Sequence, residues 1–141
     1  MAAITITAAN VVKGTGAQIE AGIAGEAITA GELVYKKASD GKFYLADALA
    51  ASVAANAEID NVHGVALNDA AASQPLTVQK GGQITIGGTV AVGEIYALDI
   101  VAGQIIPESE IATTNYVTLV GVGISATIIQ LSILITGIAH A

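Results

Sequence analysis

The chain has 141 residues, of which 53% are hydrophobic and 12% are charged; it contains no cysteine, and all five of its basic residues are lysine within a net charge of −7. Nucleic-acid binders cluster Lys and Arg against phosphates and stack bases on aromatic rings, so this composition argues against that class. The missing cysteines exclude disulfides and thiolate metal sites, and the length fits one domain with an aliphatic core.

Alternation of apolar and polar residues begins at the N-terminus. In AITITA, Ile4 and Ile6 share one face and threonines occupy the other, which predicts a short strand. We expect residues 1–20 to form an N-terminal strand or arm and residues 21–141 to form the body. The N-terminal segment is either the first strand of the barrel or an arm that adds a strand to another protein or to a neighbouring copy. The candidate contact residues of such an arm are Ile4, Thr5, Ile6, Val11 and Val12. No basic, apolar and small-residue signal-peptide pattern is present, so we expect synthesis in the cytoplasm.

The stretch ITAGELVYKKASDGKFYLADA, residues 28–48, predicts a β-hairpin, because two β-prone runs flank Asp40-Gly41 and glycine accepts a positive φ. A similar pattern returns at residues 90–110. Ile28, Gly31, Glu32, Leu33, Gly41 and Phe43 match Val90, Gly93, Glu94, Ile95, Gly103 and Ile105. Later segments also match, 64–67 with 121–124 and 76–78 with 133–135. We therefore predict an all-β barrel or sandwich built from two pseudo-repeated β-meanders.

Three further segments complete the predicted elements. The alanine-rich residues 46–60 favour a short helix or a loop. Lys80-Gly81-Gly82-Gln83 predicts a turn between two alternating strands, with Gly81 and Gly82 as its turn residues. Residues 116–139 carry no charge over a length that could cross a membrane, but their scattered Thr, Ser and Gln and their β-branched residues favour paired buried strands.

No residue pattern predicts catalysis, a cofactor or a metal. His63 and His140 have no partner at metal-ligand spacing, and no nucleophile elbow or Walker lysine-serine pair occurs. Lys36 and Lys37 beside a hairpin suggest a biotinyl or lipoyl carrier module as an alternative. A carrier lysine belongs in the turn itself, however, whereas these two precede Asp40-Gly41. We expect a protein that is not an enzyme.

The segments GEAITAGELVYKKASDGKFYLADA, VHGVALNDAAASQPLTVQKGGQITI and VAVGEIYALD resemble the head decoration, or cement, proteins of tailed bacteriophages. The resemblance covers roughly residues 26–99 and rests on hydrophobic and glycine positions. It implies a structural virion protein that binds the outer surface of the expanded capsid, bridges major capsid subunits and so stabilises the head. The implied partners are the major capsid protein and further copies of the chain, as a homotrimer or a dimer, without nucleic acid or membrane.

The C-terminal run departs from that pattern, because it is more apolar than an exposed decoration requires. This departure indicates burial in an oligomer interface. A surface β-module, such as a fibre or adhesin fragment, is a further alternative.

Overall fold

A computed structural model of the chain describes residues 3–37, 39–47, 62–111 and 115–139. Within these residues the strands form one antiparallel sheet that curls into a half-barrel, which confirms the all-β prediction. The strands are β1 (Val11–Lys13), β2 (Gln18–Ile23), β3 (Leu33–Lys36), β4 (Phe43–Leu45), β5 (Val62–Ala66), β6 (Pro75–Ile86), β7 (Ile95–Leu98), β8 (Ile105–Pro107), β9 (Tyr116–Gly123) and β10 (Ile128–Ala139).

The order of the strands displays the internal repeat. The sheet runs β4-β3-β5-β6-β10-β9-β7-β8, and β1 and β2 pair with β6 outside this path. We call β3 to β6 the first meander and β7 to β10 the second meander. Each meander places its strands in the same spatial order, so the two copies meet where β6 pairs with β10.

The pairing register is identical in the two hairpins. Val34 pairs with Leu45 on one side and Gly64 on the other, and Tyr96 pairs with Pro107 and Gly121. A β-bulge follows directly in both copies: β5 has one extra residue opposite the step from Val34 to Tyr35, and β9 has one opposite the step from Tyr96 to Ala97. A shared bulge is a specific feature of a fold, so the repeat predicted from glycine spacing is confirmed.

Two of the repeated glycines have a shared backbone role. Gly31 and Gly93 have φ values of +94° and +84°, a region that side chains rarely adopt. In this conformation the Gly31 amide donates to the Ala66 carbonyl at 2.8 Å and the Gly93 amide donates to the Gly123 carbonyl at 2.7 Å. Each glycine therefore connects the start of its hairpin to the end of the third strand of its meander, which is β5 in the first copy and β9 in the second.

The prediction of a turn at Gly81 and Gly82 is wrong. Both glycines lie inside β6, which continues from Pro75 to Ile86. Gly82 has a φ of +83°, and a Cβ there would meet the backbone of Gly16, so its glycine serves a close approach of two chain segments. The local sequence resembles a turn, but partners on both edges of β6 keep it extended: β2 and β5 along its first half, β1 and β10 along its second.

The predicted match of residues 76–78 with 133–135 is also wrong. Gln79 pairs with Val65 in the first meander, and Gln130 pairs with Val122 at the corresponding position in the second. Gln79 thus corresponds to Gln130. The connection at 67–74 is shortened to 124–127 in the second copy, and a gapless comparison misses this difference.

The core consists of three clusters of buried residues. Both meanders contribute to the largest, the central cluster, which includes Leu33, Tyr35, Val65, Ile84, Ile86, Tyr96, Leu98, Ile105, Val120 and Ile129. A second cluster around Phe43, Leu76 and Val78 lies on the first meander, and a third around Ala97, Ile106 and Ile111 lies on the second.

The remaining predicted segments have mixed outcomes. Residues 48–60 of the alanine-rich stretch lie outside the described residues. The apolar C-terminal run forms the paired strands β9 and β10, as predicted, but the expected burial is incomplete, because Leu134 is 56% exposed. No helix among the described residues is long and apolar enough to cross a membrane. Short 3₁₀ turns occupy Ala8–Asn10 and Glu108–Glu110.

Candidate interaction surface at the N-terminus

Residues 3–7 run along the body as an extended segment rather than as a regular strand. The Ile4 amide donates to the Ile105 carbonyl at 2.9 Å, and the Thr7 amide donates to the Gly87 carbonyl at 2.8 Å. Ile4 and Ile6 are half-buried against the central cluster, while Thr5 is exposed. The predicted division into an apolar and a threonine face is confirmed, and the apolar face covers the chain's own core.

Two glycines make room for this segment. A Cβ on Gly31 would lie 2.5 Å from Cγ2 of Ile6, and a Cβ on Gly88 would lie 2.5 Å from Cγ2 of Ile4. Carbon atoms in contact are normally separated by about 3.5–4.0 Å, so any side chain at either position would displace the segment. The surface of the body therefore has space at Gly31 and Gly88 that fits both isoleucines, and we call this site the seat of the N-terminal segment.

The segment also lines two cavities. A cavity of about 470 Å³ is lined by Ile4, Ile6, Gly31 and Glu32, and another of about 310 Å³ is lined by Ile4, Thr89, Tyr96 and Pro107. Side chains therefore pack against the segment incompletely on both sides.

Val11 and Val12, both predicted contacts, have opposite environments. Val11 pairs with Ile86 and is buried in the central cluster, whereas Val12 is 54% exposed. The expected boundary at residue 20 falls within β2, all of whose residues from Gln18 to Ile23 pair with β6. Beyond about residue 10, the N-terminal region is thus part of the sheet.

β1 and β2 together form an exposed edge. Both strands pair with β6, and within the described ranges neither has a partner strand on its other side. Ile19 and Ile23 of β2 are 48% and 39% exposed. We call this free edge, with Val12, Ile19 and Ile23, the N-terminal edge surface. Our sequence reasoning missed Ile19 and Ile23, although their spacing in QIEAGI places two isoleucines on one side of a strand.

The one carboxylate of β1 and β2 is paired. Glu20 of β2 accepts from Nζ of Lys36 at 2.9 Å and from Nζ of Lys80 at 3.2 Å. Unpaired charges on an edge strand discourage the addition of another strand, because a docking backbone would strip them of water. Two lysines neutralise Glu20, so this barrier is reduced.

The tip of the first hairpin is a tight turn, as predicted. Gly41 has a φ of +71°. Asp40 accepts from the backbone amide of Lys42 through Oδ1, at 2.9 Å, and from the hydroxyl of Tyr44 through Oδ2, at 2.6 Å. The bond from Tyr44, followed by that from Lys42, holds the pKa of Asp40 below its ordinary value, and the same contact raises the pKa of Tyr44.

Glu32 is the ionisable residue that lines the larger cavity, and its pKa is raised. Burial raises its pKa, the hydrogen bond from the Thr29 amide at 2.7 Å opposes that effect, and the negative charges of Glu26 and Asp69 add to it. No group of three or more His, Asp or Glu side chains that could hold a metal occurs in the part of the chain that the structure describes. The side chain of His63 and all of His140 lie outside that part.

No protein-family model and no curated protein matches this chain.

Proposed function

We propose that this protein is a structural virion protein that binds the exterior of an expanded phage head and stabilises it by bridging major capsid subunits. In this proposal the protein acts as a self-associated cement, a trimer or a dimer, on the outer surface of the shell. It performs no chemistry and requires no cofactor.

The N-terminal edge surface is the observation that carries the proposal. It combines a free strand edge, exposed aliphatic side chains and a neutralised carboxylate at Glu20. An extended segment of another protein can add to such an edge through backbone hydrogen bonds, while side-chain pockets provide specificity. A capsid subunit that donated one strand to this edge would be connected to the cement protein along several residues.

The extended segment 3–7 supplies a second contact of the same kind. Two backbone hydrogen bonds connect it to the body, and its threonine face is exposed. Release of this segment would cost the burial of Ile4 and Ile6, which a groove on a capsid subunit could restore. In this proposal the arm engages one capsid subunit and the edge engages its neighbour, which is how the protein bridges them.

The duplicated meander gives the body the rigidity that a cement protein needs. Both copies pack against one central cluster, so the two halves of the chain cannot separate without exposing that core. A cement protein must transmit load between subunits without deforming, and a shared core across β6 and β10 supports such rigidity.

The geometry of the lysines does not favour the carrier alternative. Lys36 lies in β3 and its Nζ binds Glu20 rather than projecting from the hairpin tip. Nζ of Lys37 lies 4.8 Å from the centre of the Tyr44 ring. A lysine that is modified by a carrier ligase must enter the active site of that ligase, and both of these cations have partners on the body.

The test is co-sedimentation with expanded, undecorated heads assembled from the major capsid protein of the phage that carries the gene. We expect binding that saturates at a fixed ratio to capsid subunits and raises the temperature at which the heads open. Ile19→Lys should weaken binding by at least about tenfold, because a desolvated charge would face the added strand. Val101→Lys, at an equally exposed site on the second hairpin, is the matched control. A lack of binding by the wild-type chain at saturation would overturn the proposal.

A further inference from the structure

The tip of the first hairpin contains a chemically reactive pair of residues. Asp40-Gly41 is the only place in the chain where glycine follows an aspartate, and glycine never follows an asparagine. At such a pair the Gly41 nitrogen can attack Cγ of Asp40, because glycine has no side chain to hinder the approach. A C–N bond closes a succinimide ring, and the amide proton and the carboxyl hydroxyl leave as water. Water then reopens the ring on either side, giving aspartate again or isoaspartate.

Isoaspartate at this position would damage the hairpin. It routes the main chain through the side chain of Asp40 and so adds one carbon atom to the backbone of the turn. Two backbone hydrogen bonds close this turn, from the Gly41 amide to the Lys37 carbonyl at 2.8 Å and from the Lys37 amide to the Lys42 carbonyl at 2.9 Å. A longer backbone would not keep both bonds in place.

The folded turn shields the nucleophile of this reaction. The Gly41 nitrogen must lose its proton before it attacks, and this N–H donates to the Lys37 carbonyl. A base can remove a hydrogen-bonded amide proton only when the bond opens, which happens rarely in a closed turn.

The folded turn also keeps the carboxyl group of Asp40 unreactive. Water leaves only from a protonated carboxyl, because an ionised one has no hydroxyl to lose. Oδ2 accepts from the Tyr44 hydroxyl at 2.6 Å, and Oδ1 accepts from the Lys42 amide at 2.9 Å. The bond from Tyr44, then that from Lys42, and the charges of Lys37 and Lys42 all favour the carboxylate, so the pKa of Asp40 lies below its ordinary value.

Contacts on several sides position the ring of Tyr44 for this bond. Gly25 leaves room for the ring, since a Cβ on Gly25 would collide with it. The ring centre of Tyr35 lies 5.9 Å from that of Tyr44, and Nζ of Lys37 lies 4.8 Å from the same centre. The hydrogen bond to Asp40 raises the pKa of Tyr44, so the phenol keeps the proton that it donates.

We propose that Tyr44 protects the Asp40-Gly41 peptide from conversion to isoaspartate, through the hydrogen bond from its hydroxyl to Oδ2 of Asp40. Tyr44 is thus a positioning residue that makes the hairpin chemically durable. The second hairpin has no need of such a residue, because Ala102 precedes Gly103 at the corresponding position. This role goes beyond the proposed function and does not depend on it.

The test follows isoaspartate in the folded protein during prolonged warm incubation at neutral pH. Trypsin cuts after Lys37 and Lys42, so residues 38–42 form one peptide, in which electron-transfer fragmentation distinguishes isoaspartate from aspartate. We expect Tyr44→Phe, which keeps the ring, to accumulate isoaspartate at least about threefold faster than the wild type, because loss of the bond raises the protonated fraction of Asp40.

Tyr96→Phe is the matched control. The Tyr96 hydroxyl accepts from the Ala91 amide in the second meander, so this variant also loses one tyrosine hydrogen bond but leaves the first hairpin intact. It should form isoaspartate at the wild-type rate. Equal rates for Tyr44→Phe and the wild type would overturn the proposal, as would equal acceleration in Tyr44→Phe and Tyr96→Phe.

The pH dependence separates protection of the carboxylate from a general loosening of the hairpin. We expect the difference between Tyr44→Phe and the wild type to disappear at a pH low enough to protonate Asp40 in both proteins, since neither then has a carboxylate to protect. A difference that is the same at both pH values would show that Tyr44 acts only by holding the turn closed, which would also overturn the proposal.

Discussion

Gly64 of β5 and Gly121 of β9 occupy the same position in the two meanders, and each lies against the backbone of the next strand. A Cβ on Gly64 would collide with the carbonyl of Gln79, and a Cβ on Gly121 would collide with the carbonyl of Gln130. The equivalence extends to their neighbours, since each glycine pairs with the hairpin residue that precedes the bulge. Glycine is thus needed twice for one physical reason.

Replacing either glycine with alanine should destabilise the fold. We expect Gly64→Ala and Gly121→Ala each to lower the free energy of unfolding by about 1–3 kcal/mol, the usual cost of forcing extra volume into a packed site. Chemical denaturation measures this change. Gly81→Ala is the control, because its Cβ would meet only the flexible side chain of Gln18 at 3.3 Å. Equal stability of all three variants would argue against the close approach.

The seat of the N-terminal segment can be tested by comparing Gly31 with its counterpart Gly93. Alanine at either position adopts an unfavourable positive φ, which costs about 1–2 kcal/mol. Only at Gly31 would the new methyl group also meet Ile6, since nothing lies within 4 Å of a Cβ at Gly93. We therefore expect Gly31→Ala to be the more destabilising variant in thermal unfolding, and to make residues 3–7 more sensitive to protease. The reverse order would show that Ile6 does not occupy this seat.

Truncation should distinguish the arm from the sheet. Deleting residues 2–7 removes the half-buried Ile4 and Ile6 but no strand, so we expect a cooperatively folded protein with a lower melting temperature and lost or weakened binding to heads. Deleting residues 2–13 also removes β1 and the buried Val11, and this protein should unfold far more readily. Circular dichroism with thermal melting checks both. If the shorter deletion unfolds the chain, the segment is structural rather than a releasable arm.

Glu32 predicts a pH dependence of stability. Because burial raises the pKa of Glu32 above its ordinary value, the carboxylate is less favourable in the folded than in the unfolded chain. This group therefore costs stability as the pH rises from the unfolded pKa through the raised folded pKa, and the cost is absent at lower pH. Glu32→Gln removes it while retaining an acceptor for the Thr29 amide.

We expect the melting temperature of Glu32→Gln to exceed that of the wild type at pH 7, and the difference to shrink below about pH 4, where both side chains are neutral. Differential scanning calorimetry at the two values measures it. A variant that is less stable than the wild type at pH 7 only would indicate that the carboxylate contributes a favourable interaction.

Local sequence patterns predicted the hairpins well. Gly41 and the repeated glycines at 31, 93 and 103 all adopt positive φ, and this requirement is visible in the sequence because few other residues tolerate it. Alternation likewise identified the faces of Ile4 and Ile6. The same local logic failed at Gly81-Gly82, because two glycines in an alternating stretch indicate a turn unless distant strands hold both edges.

The sequence by itself determined the class of fold, the duplicated hairpin and the positions where glycine is required, since these depend on the conformational preferences of a few neighbouring residues. Only the tertiary structure decided that β6 connects the two halves, that Gln79 corresponds to Gln130 and that Leu33 is buried while its counterpart Ile95 is exposed. Pairing and burial depend on which distant surface arrives at each strand. Equivalent side chains in two similar sequences can therefore differ in exposure, because residues of the second meander pack over Leu33, whereas Ile95 stays partly in contact with solvent.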